Sequence, residues 1–205
     1  MWNYGGVDAL DLILHPVRLR ILNAMSGARV RTTSDLCADL PDVPKTSLYR
    51  HVGVLAEAGA LEVVGEQRVH GAVERRYRLR REGATIDAGT AASMSLQDHR
   101  HGFAAAAAAL IAEFNAYLDR EDANPTADFV SYRQGPVWLS REELVELVDE
   151  VRRAMLPRWA NKPSPGRRPH LLATILFPLA YGPEDPEVSP ADRDAEVRHS
   201  DDGQL

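Results

Sequence analysis

The sequence predicts an α+β chain. Short helices close on a β-hairpin, and a long helix then leads into a smaller α/β part. Two patterns predict this order. Apolar residues recur at helical spacing through Val7–Met25, Thr33–Leu40 and Pro44–Ala58, and the strand-like runs Leu61–Gln67 and Val73–Leu79 flank a glycine. Beyond Thr90, helical periodicity alternates with short apolar runs.

Each element has a local cause. His15-Pro16 interrupts the first periodic stretch, so one helix should end near Leu14 and another begin at Pro16. The second buries Val17, Ile21, Leu22 and Met25, and Gly27 can stop it. Thr32 or Thr33 caps a short helix through Leu40, and Leu40–Pro44 forms a tight turn. The next helix runs from about Pro44 to Ala58 and ends at Gly59. Its stripe of Leu48, Val52 and Leu55 faces the core. Thr46, Arg50 and Gly53 lie opposite, flanked by Tyr49, with Lys45 and Ser47 at the N-terminal end.

A short helix, a turn and a second helix opening on polar donors form the helix-turn-helix pattern. Such a helix can set side chains against base edges, and Arg50 has the fork geometry for guanine. An ordinary amphipathic helix pair shows the same pattern. The hairpin that follows favours the DNA reading. Arg68–Ala72 connects its strands, with Val73, Tyr77 and Leu79 on one face of the second strand and Arg76 and Arg78 on the other. Arginines at the tip and along the far strand suit a wing that reaches phosphate or minor groove. A solvated strand face is the alternative for these arginines.

These residues carry a resemblance. His15-Pro16-Val17-Arg18-Leu19-Arg20-Ile21-Leu22 resembles the opening of ArsR-type winged helix-turn-helix regulators. Thr46–Val52, with Leu55 and Glu57–Leu61, is similar to their recognition helix and its exit, and Glu74–Leu79 to their wing. The resemblance covers residues of about 10 to 81. It implies a homodimeric transcription regulator in which Lys45, Thr46, Ser47, Tyr49 and Arg50 face DNA. The sequence departs from metal-sensing members, which pair two cysteines on the helix that here holds Cys37 alone. Soft-metal sites need several thiolates or imidazoles, so Cys37 reads as a small packed residue. His99 and His101 stand two apart and point to different sides of a helix, and His51 reads as packed or bonded locally.

The total charge argues at first against a nucleic-acid partner, because the 205 residues carry a formal net charge of −6. The acidity is local. Residues 1–82 sum to +2, residues 83–182 to −2 and residues 183–205 to −6. The last stretch is proline-containing and poor in large aliphatic residues, so it reads as a disordered acidic tail.

In the second hundred residues, a helix should begin near Ser93 or Ser95 and run to about Arg120. Its six consecutive alanines, Ala104–Ala109, leave a smooth surface suited to a dimer contact. Phe129–Arg133 and Pro136–Leu139 are expected as strand. Ser140–Glu143 forms a capping box for a helix ending before Pro157, and His170–Pro178 is expected as a buried strand. Trp138, Trp159, Phe177 and Tyr181 could line a ligand pocket, with plain core as the alternative. No phosphate loop, nucleophile elbow or supported Cys/His pair is found, so no enzyme, cofactor or metal site is expected. The carboxylates of residues 142–150 read as a solvated helix face.

The expected domains are a winged helix-turn-helix over 1–82, a helical and α/β domain over 83–182 and the tail over 183–205. No run approaches the length of a membrane span and the N-terminus lacks a signal pattern. One cysteine fits a reducing compartment, so the expected location is the cytoplasm. The expected function is sequence-specific binding of double-stranded DNA by a homodimer that represses transcription. Lys45, Thr46, Ser47, Tyr49, Arg50, Arg68, Arg75 and Arg76 are the contact residues. Two alternatives stay open: a regulator answering to a small-molecule effector in an apolar C-terminal pocket, and a winged helix that binds protein instead of DNA.

Overall fold

The computed structural model describes residues 15–69, 72–80 and 92–180. The helix expected before Leu14, the hairpin's central His70 and Gly71, the joint around residues 83–90 and the acidic tail lie outside these residues. In chain order the elements are α1 (Pro16–Ala24), β1 (Val30–Thr32), α2 (Thr33–Asp39), α3 (Lys45–Glu57), β2 (Leu61–Val69), β3 (Ala72–Leu79), α4 (Leu96–Leu118) and α5 (Arg141–Trp159). The architecture is α+β, with a helix-turn-helix region, a three-stranded antiparallel sheet and later helices.

Helix starts follow from capping chemistry. Pro16 opens α1 while the His15 Nδ1 accepts from the Val17 N–H at 3.2 Å. Thr32–Asp35, Ser95–Asp98 and Ser140–Glu143 form reciprocal capping boxes at α2, α4 and α5. α3 ends in a Schellman motif: Gly59, at φ +74°, donates to the Ala56 carbonyl, and Ala60 donates to that of Leu55. A side chain at Gly59 would be strained there.

The sheet order is β1-β3-β2. Tyr77 of β3 pairs with Arg31 on one side and Val63 on the other, and Val64 is the extra residue of a bulge. β1 was not foreseen. Three residues are too few to show alternation, and the strand exists because β3 offers it an edge. Ile21, Met25, Leu36, Leu48, Leu55 and Leu61 are fully buried and join α1, α2, α3 and β2 in one core. Val73 shares Tyr77's face but lies near the hairpin tip, beyond the core, and is exposed.

A buried charge ties the helices together. Arg20 on α1 is 3% exposed. Its two Nη groups grip the carboxylate of Asp42 in the turn before α3, one at 2.8 Å, and its Nε reaches Glu113 on α4 at 3.3 Å. α4 packs along α1 as a result.

The C-terminal strands do not form. Residues 129–139 and 170–178 hold no strand in the described structure. Gly135-Pro136 and Pro178 interrupt the apolar runs, and a strand without a ladder partner leaves its amides unsatisfied. These segments meet α4 through ring contacts instead, Tyr132 against Phe114 and Phe177 against Phe103. The last helix also passes its expected end, for Pro157 lies inside α5. The ring removes one donor close to the terminus, and Arg158 donates across the last turn to the Ala154 carbonyl.

The Arg20 clamp predicts an acid-side stability effect. Its hydrogen bonds hold the Asp42 carboxyl below the usual carboxylate range, against a smaller opposing effect of burial. The stabilisation is therefore present above pH 4 or so and lost as pH falls through the lowered folded value. Asp42→Asn should cost about 1–2 kcal/mol at neutral pH, discounted because Asp42 is half exposed, and should flatten the acid limb. Urea denaturation of both proteins between pH 3 and 7 measures this.

Candidate nucleic-acid interface

α3 is amphipathic in the way its spacing predicts. Leu48, His51, Val52 and Leu55 are buried, while Lys45, Thr46, Tyr49 and Arg50 are exposed and Ser47 is half-buried. Packing against α1, α2 and β2 fixes the inner face, so the outer face stands proud on a rigid support. Its cap residue, Pro44, supplies no side-chain acceptor for the first-turn N–H groups. Gly53, half-buried, lies on the same outer side, and a Cβ there would meet nothing within 4 Å. Packing therefore gives no reason for a glycine inside this helix. Close approach of another molecule's backbone would give one.

The guanidinium of Arg50 rests on a histidine pair. His51 is 4% exposed, and its ring lies 4.3 Å from that of His15, centroid to centroid. Arg50 Nη2 is 3.4 Å from His51 Nε2. Arginine can only donate, so Nε2 must accept and the proton of a neutral ring sits on Nδ1. That Nδ1 is buried and has no hydrogen-bond partner among the described residues. Burial first, then the charges of His15, Arg50 and Arg18, lowers the His51 pKa to about 4. Burial, then Arg18 and Arg50, also lowers that of His15. The support beneath Arg50 is therefore uncharged at neutral pH. Sequence reading placed His51 as locally packed but did not find this stack, because nothing in the spacing of residues 15 and 51 announces it.

The hairpin projects its arginines beyond the core. Arg68, Arg75 and Arg76 are exposed. Arg75 pairs weakly with Glu66 at 3.5 Å and Arg78 with Glu62 at 2.7 Å, while Arg68 and Arg76 have no ion-pair partner among the described residues. Glu74 turns away to accept from the Ser34 N–H and from Gln67. The eight expected contact residues thus divide between two mounts, the outer face of α3 and the hairpin.

The proposed aromatic pocket does not assemble. Trp138, Trp159 and Phe177 are 69%, 58% and 61% exposed, and Tyr181 lies outside the described residues. Lacking a C-terminal sheet, these rings have no second wall to close against. Cys37 is half-buried against the core, and His101 bonds Gln97 at 2.9 Å. Among the described residues, no helix is long and apolar enough to cross a membrane.

Residues 13–64 match a helix-turn-helix domain family, a span that runs from before α1 into β2 and contains all of α3. No curated protein matches the chain. The match supports a DNA-binding regulator of the helix-turn-helix kind.

The histidine pair predicts a second pH effect, opposite in chemistry to that of Asp42. A base with a lowered folded pKa destabilises the fold when it protonates. The penalty is absent above about pH 6.5 and grows as pH falls toward 4. The His51 ring should titrate near pH 4 by NMR in the folded protein, and His51→Phe should remove that part of the stability loss.

Proposed function

We propose that the chain is a homodimeric, sequence-specific repressor of transcription of the ArsR-type winged helix-turn-helix kind, non-enzymatic and cytoplasmic. The observation that carries this reading is the outer face of α3. Lys45, Thr46, Tyr49 and Arg50 stand exposed, beside a half-buried and sterically unneeded Gly53, on a helix whose other face is locked in the core. The family match over residues 13–64 and the resemblance of residues 10–81 support it.

The proposed mechanism is geometric. α3 enters the major groove, where Arg50 forks onto a guanine edge and Thr46 and Tyr49 meet bases or the adjacent backbone. Ser47 and Lys45 meet phosphate at the helix start. Arg68, Arg75 and Arg76 follow the hairpin to phosphate or minor groove. Releasing Arg75 from Glu66 costs little, since exposed ion pairs are worth about 0–1 kcal/mol.

A two-fold operator asks for a two-fold protein, with recognition helices about 34–36 Å apart. α4 supports the dimer. Ala104, Ala108, Ile111 and Leu118 form an exposed stripe along it, with small residues at the end that lets a second helix approach closely. Residues 1–82 serve as the DNA-binding unit, and the later helices set the distance between two such units.

The experiment is a salt-titrated gel shift on the chain's own upstream region. Arg50→Ala should lose about 1–3 kcal/mol of specific binding and relax the preference at one base pair, whereas Arg76→Ala should weaken all sequences alike and lower the salt slope by about one. Equal binding by wild type and Arg50→Ala would sink the reading. Gly53→Ala separates stability from recognition. It should stabilise the fold by about 0.5–1 kcal/mol, as alanine does inside helices, yet weaken the specific complex. Chemical denaturation and the gel shift read the two effects on the same sample.

A further inference from the structure

α5 is a 19-residue helix that buries only Met155 within the chain. Val145, Val148, Leu156 and Trp159 are exposed, and Arg152 lies among them. At 100° per residue these five fall within an arc of about 80°. A shallow open groove borders the stripe, lined by Glu142, Val145, Glu146, Asp149 and Arg153. The helix is also electrically polar along its length. After Arg141 at its start, Glu142, Glu143, Glu146, Asp149 and Glu150 occupy its first half, and Arg152, Arg153 and Arg158 its second. No ion pair joins any of them to another side chain among the described residues.

We propose that α5 packs antiparallel against α5 of a second copy of this chain, across a two-fold axis near Glu150. The inference rests on the dimer reading above and adds a second contact to the α4 stripe. Its basis is self-complementarity. An isologous contact sets position i of one helix level with position 300 − i of the other when the axis crosses near residue 150. Arg153 of one copy then stands between the levels of Glu146 and Asp149 of the other, on the same flank. Val145 comes level with Leu156 to within one residue, and Arg141 comes level with Trp159, where a guanidinium can lie over an indole. A parallel pairing would set every carboxylate and every arginine level with its own copy, whereas the antiparallel one brings only Arg152 near its own copy, at the axis, so charge favours the antiparallel one. The acids that read as a merely solvated face thereby gain a partner.

Charge reversal tests this with a complementation that folding defects do not imitate. Glu146 and Arg153 are seven residues apart, about 10 Å along one helix, so they do not pair within a chain. In full-length protein, Arg153→Glu and Glu146→Arg should each raise the dimer Kd roughly tenfold by sedimentation equilibrium. Helical content by circular dichroism should stay unchanged. Mixing the two variants should restore wild-type affinity, because each mixed dimer sets opposite charges together at both sites. Wild-type-like dimerisation of both variants, while Ile111→Glu on α4 dissociates the dimer, would overturn the α5 contact and leave the dimer reading standing. Loss in both variants without rescue on mixing would also overturn it. A wild type that stays monomeric at high micromolar concentration would remove the dimer reading itself, and this inference with it.

Discussion

The buried guanidinium of Arg20 is the constraint on which the arrangement depends. One side chain on α1 grips the turn that launches α3 and touches α4 as well. Burying the charge is costly, and a buried ion pair often adds no more net stability than apolar residues of equal volume. Its effect here is geometric. The planar fork satisfies both oxygens of Asp42 from one position of the turn, so the start of α3 is set relative to α1. Leu48, Val52 and Leu55 then fix the rotation of the helix about its own axis. Position and rotation together decide which side chains face outward, and that is the content of a recognition surface.

The electrostatics of that surface follow from the same packing. The chain carries a net negative charge, yet the groups that stand out from α3 and the hairpin are mainly basic. The glutamates nearest the wing are drawn into local contacts: Glu74 with α2's first turn, Glu62 with Arg78 and Glu66 with Arg75. Beneath Arg50 the histidine pair is kept neutral by burial and by the surrounding cations. A protonated His51 would repel Arg50 from below and push it off the position that Nε2 now supports. Neutrality is therefore part of how the guanidinium is aimed.

Much of this was legible in the sequence where a rule is local. The stripe of α3, the capping box at Ser140, the proline start of α1 and the glycine after α3 depend on neighbours within a few residues. The exposed positions of Lys45, Thr46, Tyr49 and Arg50 follow from the same 3.6-residue period. Illegible features involve partners far apart in the chain. Arg20 appeared in the family-like opening with no role assigned, because its partners lie 22 and 93 residues away. β1 is a strand only because β3 lies beside it. The error over residues 129–139 and 170–178 has the same root. A short apolar run states that a segment seeks burial, not that a ladder partner exists to make it a strand.

Those C-terminal segments leave apolar surface uncovered within one copy. Leu171, Ile175, Leu176 and Leu179 stand exposed on backbone without regular structure, and α5 leaves most of its apolar side chains in water. Apolar surface on that scale marks an interface more often than a free exterior. Covering it with a second copy has a mechanical consequence. α4 would then be held at once by its neighbour across the two-fold axis and by Arg20 through Glu113. Arg20 holds Asp42 with the same guanidinium, so a sliding of α4 along α1 must lengthen the contact to Glu113 or drag the turn before α3. In the proposed dimer, the separation of the two α3 helices and the tilt of each would therefore be linked through one buried side chain. A change in how the C-terminal halves pack would reach the outer face of α3 by that route, without a ligand touching that helix.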